Sequence, residues 1–229
     1  MNNTCGIKFA GLVAILWQAG VSSSLAAIQT FSADFGSSGS PLGIGGSQIL
    51  SLEKFNPSLG TLTGATLSLL SHATVESQVL NFSQLAQQYS AAMATVPVGV
   101  TALGGLTFSS TPTAGPFSGT VPGPKFNVVV AGSASVFSLS TATVAVPDLI
   151  LYQGSGGQSF DVLVGLASGI YSGVSLGPVF FGGDGTAYGT VAIEYTYSPV
   201  PEPGTLLSAL VLASCSVLGF MRKRKSAQF

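Results

Sequence analysis

Tyr188 to Tyr197 alternates without a break. Val191, Ile193, Tyr195 and Tyr197 point one way, and Thr190, Ala192, Glu194 and Thr196 point the other. A period of two is that of a half-buried β-strand, whose successive side chains face opposite sides of a sheet. Thr61 to Leu70 repeats the pattern, with Ala65, Leu67 and Leu69 against Thr66 and Ser68. Ala73 to Phe82 reads as its hairpin partner. Ile49 to Phe55, Phe126 to Val130, Ala134 to Leu139, Thr143 to Leu151, Phe160 to Leu166 and Val174 to Phe181 also have strand composition. Turn signals punctuate the chain at Asn56-Pro57-Ser58-Leu59-Gly60, at Gly154-Ser155-Gly156-Gly157 and at the hairpin-type Asp184-Gly185. Phe31 to Gly46 reads as a loop flanking a first strand, and Val98 to Pro124 as loop-heavy. Phe82, Leu85, Ala86, Tyr89, Ala92 and Met93 recur at helical spacing behind Ser83, a capping residue, and predict one short helix. Many short strands without a βαβ rhythm or a fixed repeat predict an all-β fold. The expected form is an antiparallel β-sandwich, jelly-roll-like, with that one helix.

Charge narrows the function. Between residues 28 and 198 the cations are Lys54 and Lys125, and the acids are Asp34, Glu53, Glu76, Asp148, Asp161, Asp184 and Glu194, a net of −5 without an arginine. Nucleic-acid binding requires a cationic footprint for phosphates, so no nucleic-acid partner is expected. The two cysteines, Cys5 and Cys215, fall outside this body. Its stability therefore comes from burial and backbone pairing, without disulfides or a thiolate site.

The ends are different material. Met1 to Ala27 has one positive charge, Lys8, then a short apolar stretch from Phe9 to Ala19. Small residues at Ser24-Leu25-Ala26 suit a signal peptidase, with Leu25-Ala26-Ala27 as an alternative cut, so cleavage is expected at Ala26 or Ala27. At the other end Val200-Pro201-Glu202-Pro203 precedes an uncharged run from Gly204 to Met221, and Arg222-Lys223-Arg224-Lys225 closes it. A helix over 204–221 is roughly 27 Å long, close to the hydrocarbon thickness of a bilayer. The basic block stays cytoplasmic by the positive-inside rule, which puts the body across the membrane. Pro201 and Pro203 keep the preceding chain extended, and Glu202 stands as a charge at the membrane surface. The domain plan is 1–27 signal peptide, 28–198 secreted β-domain and 199–229 tail.

Pro201-Glu202-Pro203, the apolar span and the Arg/Lys cluster, in that order, resemble the PEP-CTERM sorting signal of Gram-negative bacteria. The resemblance covers about 30 residues. It implies processing by exosortase, a membrane-embedded cysteine peptidase, with the tail as substrate. The precursor is then anchored in the inner membrane and the product lies at the cell surface or in the extracellular matrix. A single-pass anchor after a Pro-rich stalk is the alternative. Phe55-Asn56-Pro57-Ser58-Leu59-Gly60-Thr61-Leu62, the Thr-rich strand after it and Tyr195-Thr196-Tyr197 before the proline motif resemble the choice-of-anchor E domains. That resemblance implies a secreted β-rich domain of unassigned activity.

The chain offers little for catalysis. Gly173-Val174-Ser175-Leu176-Gly177 fits the pattern of a nucleophile elbow, but that motif needs a strand-to-helix turn and a downstream histidine. The single histidine, His72, lies upstream. A lone histidine cannot complete a metal site without a second His or Cys. Gly182-Gly183-Asp184-Gly185-Thr186 reads as a glycine-rich hairpin rather than a calcium loop. Asn81-Phe82-Ser83 is a formal glycosylation sequon. No cofactor, metal or catalytic set is expected. The leading expectation is a non-enzymatic surface or matrix protein with a structural or adhesive role. The alternative is a carbohydrate-binding module that stacks exopolysaccharide on Tyr89, Tyr152, Tyr171 or Tyr188. A secreted hydrolase is the third reading.

Overall fold

The structure is a computed structural model in which residues 26–200 are described. Pro201, Glu202, Pro203, the span 204–221 and Arg222, Lys223, Arg224 and Lys225 lie outside them, as do residues 1–25 of the signal segment. Among the described residues no helix is long and apolar enough to cross a membrane.

The described chain is mostly antiparallel β-sheet. The strands are β1 (Ala27–Phe35), β2 (Leu42–Gly43), β3 (Ser47–Glu53), β4 (Gly60–Asn81), β5 (Gln87–Thr95) and β6 (Val98–Thr101). They continue as β7 (Thr107–Ser110), β8 (Thr113–Val121), β9 (Asn127–Thr143), β10 (Ser159–Leu166), β11 (Ile170–Ser175) and β12 (Val179–Pro199). Five strands form the largest sheet, in the order β1-β12-β4-β9 with β2 beside β12. A second sheet runs β3-β10-β6-β7 and a third β11-β5-β8.

Alternation built these elements as expected where it was strict. In β4, Ala65, Leu67 and Leu69 are buried, as are Val191, Ile193 and Tyr195 in β12, while Glu194 is exposed. All three sheets feed one core: Leu67, Leu69, Val75 and Ile193 from the first, Leu50, Leu52, Val98 and Val162 from the second, Ala94 and Ala114 from the third. Burying a side chain of the Val, Leu or Ile type contributes about 1.5–3 kcal/mol, so this interior is the main source of stability. A smaller cluster, Val79, Tyr89, Ala92 and Val121, lies under the far end of β4.

Two tyrosines anchor the core with their hydroxyls satisfied. Tyr195 packs against Phe31 and Phe55 at ring-centroid distances of 6.1 and 5.7 Å, and its hydroxyl donates to the Glu53 carbonyl at 2.9 Å. Burial raises its pKa, with Tyr152 as a lesser cause. Tyr152 stacks edge-on against Phe160 and donates to the Leu103 carbonyl at 2.8 Å. Burial, and then the charge of Asp148, push its hydroxyl up to about 12.

The expected helix over Phe82 to Met93 is absent; β5 occupies most of that stretch. Its register slips twice against β8, between Tyr89 and Ala92 and between Ala92 and Ala94, with Ala91 at a φ of 52°. Inserted residues of this kind shift the apolar positions out of strict alternation. Tyr89, Ala92 and Ala94 thus face inward at spacings of three and two, which imitates a helix. Ser83 caps no helix; its backbone N–H donates to Asn81 Oδ1 at 2.7 Å in a local turn. Among the described residues, helical geometry is confined to 3₁₀ segments at Pro57–Leu59, Leu103–Gly105 and Val146–Tyr152, the last replacing most of the strand expected from Thr143 to Leu151.

Strand lengths also differ. The expected hairpin of Thr61–Leu70 with Ala73–Phe82 is one continuous strand, β4, and its partner is β9 through Leu67↔Ala142, His72↔Phe137 and Leu80↔Val128. The expected strands Phe126–Val130 and Ala134–Leu139 likewise fuse into β9 through a bulge beside Gly132. Val174–Phe181 is split between β11 and β12, Asp184-Gly185 lies within β12 instead of at a turn, and the loop-heavy stretch holds β6, β7 and β8.

The chain divides into two compact units. One comprises Ile28–Pro57 and Leu62–Tyr197 and contains the core described above. Among the described residues, the other comprises 26–27, Ser58–Thr61 and 198–200. Within this smaller unit the backbone N–H of Val200 donates to the Leu59 carbonyl at 3.1 Å.

Candidate functional site

Because β4 is buried on its Leu67/Leu69 face, the residues between them line the opposite face of the largest sheet. His72 stands there. Its Nε2 lies 2.7 Å from Ser135 Oγ, its Nδ1 hydrogen-bonds the Tyr188 hydroxyl, and its ring stacks on Phe137 at 4.1 Å with planes 8° apart. The imidazole is thus engaged by a hydroxyl at each nitrogen and a ring on one face. Among the described residues no group of three His, Cys, Asp or Glu side chains comes together.

At one end of this face is a groove of about 360 Å³ lined by Gln78, Leu80, Val128, Tyr171, Phe180, Gly182 and Gly183. Four strands contribute, which is why no single segment of sequence announces it. Phe180 is 60 % exposed and forms an aromatic wall. Gln78 Nε2 donates to Glu76 Oε1 at 2.5 Å, which orients the amide beside the groove. Tyr171 has its hydroxyl pKa raised by burial and then by the charge of Asp184. A Cβ at Gly183 would run into the Glu76 carbonyl oxygen and the Tyr171 ring, so glycine lets β12 pass close to β4 there. The groove combines aromatic and aliphatic walls with one amide and a nearby carboxylate, without a cation. Its volume lies at the lower end of those that hold small ligands.

The structure sorts the sequence candidates. Tyr89 and Tyr152 are buried in the two cores and cannot stack on a sugar. Tyr171 lines the groove, and Tyr188 is held by His72. The aromatic residues most available on this face, Phe137 and Phe180, escaped sequence reasoning; the usable signal was a large ring breaking into Ser- or Gly-rich surroundings. Ser175 of the Gly173–Gly177 pattern donates to the Gln88 carbonyl at 2.8 Å and accepts from the Gly177 N–H at 3.2 Å. It ends strand β11 without a helix after it, so the elbow geometry is not formed. Asp184 accepts from the Gly185 N–H within β12. Asn81 of the sequon is fully buried, with its Nδ2 donating to the carbonyls of Leu85 and Pro122 at 2.8 and 3.0 Å. Of the terminal candidates, Ala26 precedes β1, Ala27 opens it, and Val200 is exposed.

No family model matches the chain, and no curated protein matches it. Among solved structures, similarity extends to the T13 particle of infectious bursal disease virus, with 14 % identity, 85 % of this chain covered, 48 % of that chain covered and a TM-score of 0.17. The VP2 subviral particle of the same virus gives 12 % identity, coverage of 85 % and 49 %, and a TM-score of 0.16. The chain spans about half the length of these structures. At such scores the likeness carries no argument about fold or function.

Proposed function

We propose that the chain is an exported β-sandwich, jelly-roll-like, delivered to the cell surface or exopolysaccharide matrix of a Gram-negative bacterium, where its role is structural or adhesive and not catalytic. Signal peptidase removes the leader at Ala26 or Ala27. The membrane holds the precursor through 204–221 until exosortase acts at Val200-Pro201-Glu202-Pro203. The observation that carries this reading is the ordered tail: proline-flanked acid, uncharged bilayer-length span, and four consecutive cations. In cells with the processing enzyme, intact-mass measurement of fractionated protein is expected to show wild type lacking residues 204–229. The Glu202→Ala variant is expected to retain them in the membrane fraction. The same C-terminus in the same fraction for both would overturn the sorting assignment.

The groove favours a second reading, a neutral-carbohydrate binding surface. A sugar ring presents an apolar face to an aromatic wall and hydroxyls to an amide and carboxylate. Phe180→Ala is expected to weaken retention on purified exopolysaccharide on the order of tenfold, about 1.4 kcal/mol. Saturable binding unaffected by this change would remove the groove from consideration.

A further inference from the structure

We propose that Leu59 and Gly60 hold the chain at the end of β12 and so set the inner limit of C-terminal processing. The cut that frees 204–221 falls after Val200 and never inside the strand. Exosortase as the cutting enzyme rests on the sorting reading above; the limit itself rests on the geometry around Val200.

β12 ends at Pro199, and the backbone N–H of Val200 donates to the Leu59 carbonyl at 3.1 Å. This bond holds the chain one residue past the strand. The 3₁₀ turn Pro57–Leu59 presents that carbonyl immediately before β4 begins at Gly60. The missing Cβ of Gly60 is what lets residues 198 and 199 lie so close. A Cβ there would overlap the Ser198 carbonyl oxygen and stand 2.8 Å from the Pro199 Cα. Exposure changes at the same point: residues 196–199 are half-buried, and Val200 is 60 % exposed. Val200 is therefore held by its backbone while its side chain is open.

A peptide bound as an added strand is gripped through its own N–H and C=O groups. A residue already paired within the protein must open before it can be gripped in this way. Pro201 and Pro203 carry no N–H, so Val200-Pro201-Glu202-Pro203 has two backbone donors, those of Val200 and Glu202. Leu59 takes the first. A peptidase working inward from the tail therefore meets paired chain at Val200. Hydrolysis beyond it breaks one C–N bond; water supplies hydroxide to the acyl carbon and a proton to the departing nitrogen. A product that keeps Val200 also keeps the bond to Leu59, so the end of the strand stays closed after the tail has left.

The test is limited digestion of the full chain in detergent micelles by chymotrypsin, whose apolar slot accepts a tyrosine ring. The Tyr197–Ser198 bond lies inside the limit, and fragment masses report its cleavage apart from every other cut. Digestion of a transiently opened segment follows the population of the open form. Gly60→Ala is therefore expected to speed this cut about tenfold or more over wild type. Gly64→Ala, where a Cβ meets nothing nearer than Thr196 Cβ at 3.8 Å, is expected to match wild type. Val200→Pro removes the N–H donor without touching Gly60 and is expected to speed the cut about threefold. That variant decides the matter if Gly60→Ala loses the wild-type circular dichroism spectrum. A Tyr197–Ser198 bond cut as fast in wild type as in these two variants would overturn the limit. So would mature protein from cells ending before Val200. The digestion needs no processing enzyme, so its result is separate from the Glu202→Ala comparison, which tests the sorting assignment alone.

Discussion

Replacing Tyr195 with alanine is expected to destabilise the folded body by about 3–5 kcal/mol, the range for large aromatic truncations in a core. The ring is fully buried and bridges Phe31 and Phe55, so its removal leaves a void between strands β1, β12 and the end of β3. The hydroxyl adds a second cost. It donates to the Glu53 carbonyl at 2.9 Å, a part-buried hydrogen bond whose loss costs about 0.5–1.5 kcal/mol. Tyr195→Phe separates the two contributions, because it keeps the ring and removes only the donor. The phenylalanine variant is therefore expected to lose about 0.5–1.5 kcal/mol, and the alanine variant clearly more. Urea unfolding with matched m-values measures both. An alanine variant within 1 kcal/mol of wild type would show that this ring does not organise the core.

Gly60→Ala is expected to cost about 2–3 kcal/mol and to loosen the chain at Val200. Gly60 has a φ of 155°, a conformation that L side chains rarely adopt. A Cβ there would overlap the Ser198 carbonyl oxygen and press on the Pro199 backbone. Backbone cannot yield as a flexible side chain does, so either the start of β4 or residues 198–200 must move. Strain of this sort costs about 1–3 kcal/mol per residue. Movement also breaks the hydrogen bond from the Val200 N–H to the Leu59 carbonyl. Amide hydrogen exchange is the informative readout, with Val200 expected to exchange at least tenfold faster and Val191 far less affected. Gly64→Ala is the control, because a Cβ there meets nothing nearer than Thr196 Cβ at 3.8 Å. Equal effects at both positions would sink the steric account.

The legible parts of the fold share one property. Where apolar and polar residues alternate strictly, as from Ala65 to Leu69 and from Thr190 to Glu194, burial follows the alternation. Where a bulge interrupts it, as around Ala91, the apolar spacing imitates a helix although the segment is a strand. Length was the other failure. Ser71 and His72 read as a break between two strands, yet both sit mid-strand in β4. Ser71 is buried and satisfied by the hydroxyls of Ser110 and Ser138 at 3.0 and 2.8 Å, partners supplied by β7 and β9. A polar residue looks like a turn when its distant partners are not visible.

The candidate site was less legible still. The sequence offers Tyr171 as a sugar-stacking tyrosine but gives no sign of Phe180, Gln78 or Val128, since the groove exists only where β4, β9, β11 and β12 meet. The same holds for β9: its lack of charge can be read from residues 127–143, but its position at the end of a sheet cannot. By itself, the order of residues determined the class of structure, the charge-poor body and the three-part tail, because periodicity, charge and apolar length are properties of neighbours along the chain. Only the tertiary structure decided which faces and edges stay open, because those depend on register between strands such as β4 and β9, whose paired residues lie far apart in sequence and meet only when the core closes.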